Sequence, residues 1–420
     1  MFREAMPASP KARRILVGTI FSALGRGFTL PFLFIYLTEV HGIPGSTAGL
    51  LIGWFGLLTL FAAPIGGTLI DRFGARRVVL PALVLEGLAM GGLALASQTW
   101  QFALTMTFGA LVGSSIWAGQ NTILTSVTSD GERQKVFGLQ FALLNLGIGV
   151  GAAISGSVVD TEHLPSFQVI YLLNMLCYFA PVVVLMSMPG VGLRLVEPQP
   201  TAERGRQRGY LEVLRHRPFR RLILFSLLLT TSGYAQLEVG FSGFAINVAG
   251  VSPQIVGYAF TANTAVIVLA QLFVIKKIEG RSRATSLAFV GAIFAVSWVV
   301  LGLAGVVDGA SAIVSALGVI SFAAVFAFGE TLLSPTLPTL VNALATDELR
   351  GRYNALAGMV WGVSGVVAPV SAGPLLQLGL GGVWIALVIV GCLTASLIAI
   401  SLRRLITPHE DGRAPADPPA

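Results

Sequence analysis

Twelve apolar segments of about membrane-spanning length decide which solvent this chain can fold in. Eight carry no charge at all, at 46–69, 101–127, 136–159, 166–188, 254–275, 284–305, 353–377 and 382–402. Four more, at 15–37, 78–97, 222–248 and 311–345, carry one charge each, namely Arg26, Glu86, Glu238 and Glu330. A helix needs about 20 residues to cross the hydrocarbon of a bilayer, and every one of these runs meets that length. Charged residues make up 11% of the 420, where a soluble domain carries about 25%. The segments therefore predict an all-α membrane protein with 12 transmembrane helices. The sequence lacks period-two alternation and Asn-Gly turns, which excludes a membrane β-barrel. The first run is followed by no Ala-x-Ala site and is read as a retained helix.

The net charge of +7 comes from loops that alternate along the chain. Arg and Lys fall at the N-terminus and after spans 2, 4, 6, 8, 10 and 12; the basic residue left over is Arg26. This is a topology signal and not a nucleic-acid surface, so the positive-inside rule puts these loops and both termini in the cytoplasm. The chain divides into a short tail at 1–14, a six-helix half at 15–188, a linker at 189–221, a second six-helix half at 222–405, and a Pro-rich tail at 406–420 expected to be disordered. Topology explains the eight arginines of the linker; anionic lipid headgroups are the alternative reading. With an offset of 217, "SDGERQKVFGL" at 129–139 lies over "TDELRGRYNAL" at 346–356, pairing Asp130 with Asp347 and Arg133 with Arg350. Matching charged turns at the same place in two halves mark a parallel repeat, so the halves are expected to be pseudo-symmetric.

No enzyme chemistry is legible. The four histidines lie in loops or tails, Cys177 and Cys392 sit in apolar spans without ligand spacing, and the Gly-rich nucleotide loop is absent. Neither a cofactor nor a metal is expected. Four ionisable groups within spans are costly there and are functional candidates by default. Span 7 spaces Thr230, Tyr234, Glu238 and Ser242 four apart, which predicts one polar face. Span 1 offers Ser22, Arg26, Thr29 and Tyr36, and span 4 offers Ser114, Trp117, Gln120 and Asn121. In span 10, Pro335 and Pro338 cannot donate to the carbonyls of Thr331 and Ser334, which predicts a bend with free acceptors beside Glu330.

The turn between spans 2 and 3 reads "GTLIDRFGARR". Asp71 ends a helix, where the macrodipole disfavours an anion, so a compensating contact is expected; Gly74 permits the tight turn. Gly67, Leu69, Asp71, Arg72, Gly74, Arg76 and Arg77 match, position by position, a signature of the major facilitator superfamily, which this chain resembles from about residue 12 to 405. The resemblance implies that Asp71 latches the halves at the start of span 11, near Arg352–Asn354. It assigns Asp130, Arg133, Asp347 and Arg350 to related turns. It also implies a central cavity lined by spans 1, 4, 7 and 10, which places Arg26, Tyr36, Trp117, Gln120, Asn121, Tyr234, Glu238 and Glu330 in the cavity and leaves Glu86 on a peripheral span, with a structural or lipid-interface role.

Within the superfamily the chain is similar to the 12-span drug:proton antiporters, whose span 10 Gly-Glu and following proline are matched by Gly329, Glu330 and Pro335. Burial disfavours a charged carboxylate and lets it exchange protons near neutrality. The resemblance thus implies an antiporter of the cell membrane, coupled to protons through Glu330 and Glu238, exporting amphipathic cationic or neutral molecules by rocker-switch alternating access. A monomer among lipids, with small molecules and protons as its partners, is implied with it. Arg26 is read as an ion-pair partner of Glu238 or Glu330, or as a site for an anionic or zwitterionic metabolite. A non-transporting sensor or scaffold on the same fold is the remaining alternative.

Overall fold

The computed structural model describes residues 7–129, 132–193, 208–306, 311–346 and 349–413. Each of the twelve apolar runs is helical, and among the described residues there is no β-strand. Spans 1 to 6 are Pro10–Val40, Gly45–Ile70, Ala75–Leu95, Thr99–Ser126, Val136–Val158 and Leu164–Met186. Span 7 is a pair, Arg217–Leu237 and Gly240–Asn247, bent by 47°. Spans 8 to 12 are Pro253–Gln271, Arg283–Val306, Ala312–Leu344, Arg352–Gln377 and Gly381–Leu402. The runs match these helices closely because an apolar layer can be crossed only by backbone whose hydrogen bonds are satisfied internally.

Two compact units divide the chain. The first holds residues 1–199 with Ser252–Thr264, and the second holds Pro200–Val251 with 265–420. The opening half of span 8 thus belongs with spans 1 to 6. It packs on span 5, where a side chain on Gly257 would meet the carbonyl oxygen of Ala152 at 2.6 Å. The Thr261 hydroxyl donates to Gly149 O at 3.2 Å, and Thr264 to Asn145 O at 3.2 Å. Within the first unit, span 1 lies against span 5 so closely that a Cβ on Gly27 would overlap the backbone of Ile148. The second unit is built around aromatic rings: Phe294 and Phe326 stack at 3.9 Å, and Trp298 meets Phe322 at 4.6 Å and Trp384 at 5.5 Å.

Three spans are interrupted. Span 1 is α-helical over Pro10–Thr29 and ends in a π turn at Tyr36–Val40. Span 4 breaks between Thr99–Gly113 and Ile116–Ser126. Span 7 passes through a π turn at Thr230–Tyr234 and a 3-10 turn at Ala235–Leu237. Span 10, where the prolines predict a bend with free acceptors, runs as one helix from Ala312 to Leu344. The Thr331 carbonyl released by Pro335 is not free: Gln271 Nε2 donates to it at 3.2 Å.

Residues Thr407–Arg413, expected as part of a disordered tail, fold back onto the start of span 9. Asp411 is fully buried; its Oδ1 accepts from Ala284 N at 2.9 Å, and its backbone carbonyl accepts from Arg283 N at 2.9 Å. Arg413 Nε stands 2.7 Å from Asp411 Oδ2. The tail thereby caps the N-terminus of span 9, whose first N–H groups have no partner within the helix.

Candidate functional site

The signature turn is built on Gly74. Its φ of 87° lies in the left-handed region, and its N–H bonds Ile70 O at 2.8 Å, so a single residue reverses the chain between spans 2 and 3. Arg76 does more than mark topology. Its Nη1 donates to Leu185 O at 2.6 Å and Met188 O at 2.9 Å, and its backbone N–H donates to Gly192 O at 2.9 Å. These carbonyls belong to the end of span 6 and the turn after it, where the helix leaves acceptors unused and its dipole favours a cation. Arg72 lies over the Phe73 ring at 5.3 Å, Arg77 is exposed, and open space surrounds Gly67. The side chains of Asp71, Arg133 and Arg350 lie outside the described residues, as do Asp130 and Asp347 entirely.

In the second unit Glu330 is buried in span 10, 9% exposed, and follows Gly329, where an added side chain would meet the Phe294 ring. Tyr234 meets Phe326 at 5.8 Å and Trp361 at 4.8 Å. Phe326 lies one helical turn before Glu330, so this aromatic contact joins the carboxylate-bearing segments of spans 7 and 10. The polar face expected on span 7 does not form. Thr230 and Ser242 are buried while Glu238 is exposed, because the π turn inserts extra backbone and shifts the four-residue register. Polar groups instead serve the interrupted backbone. Gln236 donates from Nε2 to Thr231 O at 3.1 Å and accepts from Trp384 Nε1 at 3.0 Å, and Thr231 pairs with Ser364 at 2.8 Å. Reasoning from the sequence passed over Gln236, Gln271, Trp361 and Ser364; the lone amides within apolar runs were the available signal.

In the first unit the cavity assignment fails for Tyr36. It is 0% exposed, donates from its hydroxyl to Leu93 O at 3.2 Å, and stacks on Phe167 at 5.5 Å, because the π turn directs it into the helix bundle. Trp117 is 52% exposed, Gln120 is half-buried, and Asn121 accepts from Gln140 Nε2 at 3.2 Å. The lipid-interface reading of Glu86 fails as well. This residue is 5% exposed and faces Gly109 and Gly113 of span 4; a Cβ on Gly113 would stand 2.8 Å from Oε2. Arg26, expected to pair with a carboxylate of the second half, lies within electrostatic reach of Glu86. The two residues are 60 apart in sequence, on spans whose mutual facing no periodicity encodes.

Comparison with known proteins agrees with this architecture. The profile of the Major Facilitator Superfamily matches residues 15–369. The chain is 23% identical over 351 residues to an uncharacterized MFS-type transporter, YqjV, of Bacillus subtilis (strain 168), covering 83% of this chain and 82% of that protein. It is 24% identical over 357 residues to the quinolone resistance protein NorA of Staphylococcus aureus (strain MRSA252), covering 84% and 87%. Among solved structures, a POT family transporter in complex with a thioalcohol-conjugated peptide superposes with a TM-score of 0.77 at 16% identity, covering 96% of this chain and 99% of that one. A bacterial homologue of the human lysosomal transporter Spinster, inward-facing and unoccupied, gives 0.72 at 13% identity, covering 97% and 98%. With its twelve helical spans and a family match over most of its length, the chain belongs to the major facilitator superfamily and is a multi-pass membrane transporter.

Proposed function

We propose that this transporter is a proton-coupled antiporter that exports amphipathic, cationic or neutral small molecules. The observation that carries this reading is Glu330, a carboxyl group 9% exposed within span 10, one turn beyond Phe326, whose ring meets Tyr234, which in turn meets Trp361. A carboxyl group in such a place binds and releases a proton at moderate cost, and flat apolar rings beside it suit an amphipathic molecule. The relative named a quinolone resistance protein supports the substrate class. Glu238, at the break of span 7, is the second coupling carboxylate. Substrate and proton compete for these groups, and alternating access of the two halves carries first one and then the other across. The basic loops and both termini face the cytoplasm. The turns at 67–77, 130–133 and 347–350 bias the two states, with Asp71 as the latch. Drawing Arg26 toward Glu86 leaves it less available as an anchor for anionic metabolites.

The test is efflux of a cationic dye from inverted membrane vesicles under an imposed pH gradient. Wild-type transport is expected to collapse with the gradient and in Glu330→Gln, and to be reduced in Glu238→Gln. Dye movement that ignores the gradient, or survives undiminished in both variants, would overturn the assignment.

A further inference from the structure

The carboxyl group that this mechanism leaves unused is enclosed within the first unit. Glu86 sits near the midpoint of span 3, which runs Ala75–Leu95, and is 5% exposed; its Oε2 is buried without a hydrogen-bond partner. The wall it faces is Gly109 and Gly113, where an added methyl carbon would lie 3.4 and 2.8 Å from Oε2. Gly113 is the last residue of the first segment of span 4, immediately before the break that ends at Ile116. The carboxyl group is therefore seated on a helix interruption at mid-membrane depth.

The titratable surroundings are few. Within their membrane segments, spans 2 and 4 contain no acidic, basic, histidine, tyrosine or cysteine residue. Span 6 contributes Tyr178 and span 1 contributes Arg26, each within electrostatic reach. Glycine walls offer no side-chain oxygen, so the pocket does not resemble a sodium or calcium cage, which requires six or more oxygen ligands. A proton is the cation that a lone carboxylate oxygen can bind unaided.

We propose that Glu86 is a proton-binding site at the hinge of span 4, separate from the carboxylates of the second unit, and that its proton exchange switches the attraction between span 3 and Arg26 of span 1. With the proton bound, the O–H bond leaves a neutral group that fits against Gly113. When that bond breaks, its electron pair stays on the carboxylate, the proton passes to water, and the new charge is drawn toward Arg26 and away from the glycine wall. The residues on either side of the span 4 break then pack differently in the two protonation states.

The experiment is infrared difference spectroscopy of the full chain in lipid nanodiscs across a pH titration, reading the carbonyl stretch of protonated carboxylic acids. No substrate is needed, so absence of dye transport would remove the export reading and leave this result intact. A titrating band is expected in the wild type, lost in Glu86→Gln and retained in both Glu238→Gln and Glu330→Gln. Arg26→Gln is expected to move its midpoint, and Gly113→Ala, which keeps the carboxyl group but crowds it, to shift its frequency. Should Glu86→Gln fail to fold, the Gly113→Ala shift assigns the band. Superimposable wild-type and Glu86→Gln spectra, a band that never titrates, or one untouched by Gly113→Ala would overturn the proposal.

Discussion

Replacing Arg76 tests whether the arginines of the signature turn are topology signals alone. Its guanidinium makes two charge-assisted bonds, at 2.6 and 2.9 Å, to carbonyls at the end of span 6. A hydrogen bond to a charged group contributes about 1.5–3 kcal/mol, and a cation at a helix C-terminus about 0.3–1 kcal/mol. The two bonds share one nitrogen and the residue is half-buried, so they count as less than two independent bonds, and Arg76→Ala is expected to cost about 2–3 kcal/mol. For a cooperative unit of about 200 residues this lowers the melting temperature by roughly 5–10 °C. Both bonds come from one nitrogen, Nη1, so Arg76→Lys, which keeps the charge on a single donor nitrogen, is expected to lose less than half as much. Exposed Arg77→Ala is the control, expected to stay within about 0.5 kcal/mol of the wild type. The assay is intrinsic-fluorescence melting of the purified full chain in detergent. If Arg76→Ala and Arg77→Ala melt together, the capping argument is refuted.

Gly27→Ala forces a methyl group into the backbone of Ile148, which cannot rotate away, and is expected to cost at least about 1–3 kcal/mol; recovery of monodisperse protein and its melting temperature check this. Gly67→Ala, surrounded by open space, is expected to melt like the wild type, so a transport defect there would mark a role in motion. Gln271→Leu orphans the Thr331 carbonyl and is expected to cost about 1–3 kcal/mol. Adding Pro335→Ala restores an N–H four residues on and should recover part of that loss, an interaction that a double-mutant cycle on melting would reveal. Asp411→Ala removes the cap on span 9, with an expected cost of about 1 kcal/mol and faster proteolysis within 406–413, whereas Asp411→Asn keeps the Oδ1 acceptor and should approach wild-type behaviour.

What the sequence made legible is what the bilayer dictates. Hydrocarbon thickness fixes span length, and the cost of charge within it makes Arg26, Glu86, Glu238 and Glu330 conspicuous. The reversal at Gly74 was equally plain, because few residues other than glycine adopt its φ. Facing was hidden. Periodicity within one helix orders that helix's own side chains and says nothing of which neighbour they meet, so the approach of Arg26 to Glu86 left no local trace. Even that ordering fails where the helix type changes. A π turn, a 3-10 turn and a bend lie between Thr230 and Ser242 in span 7, and a further π turn begins at the buried Tyr36.

The interruptions themselves give the lone polar residues a common explanation. A break at membrane depth releases carbonyls and N–H groups that no water can satisfy, at a cost of several kcal/mol for each group left alone. The structure answers the breaks of spans 7 and 4 with side chains. Gln236 donates to Thr231 O at 3.1 Å in span 7, and the Ser115 hydroxyl donates to Val112 O at 3.2 Å in span 4. Gln271 does the same for the proline gap of span 10. An amide that donates to a backbone carbonyl within the spans, as Gln236 and Gln271 do, therefore marks interrupted backbone nearby. Glu86 and Glu330 stand apart from that rule. They are acceptors when ionised, so unlike Gln236 and Gln271 neither can donate to a backbone carbonyl unless it carries a proton. That requirement separates residues that repair the backbone as they stand from residues that could do so only on taking up a proton.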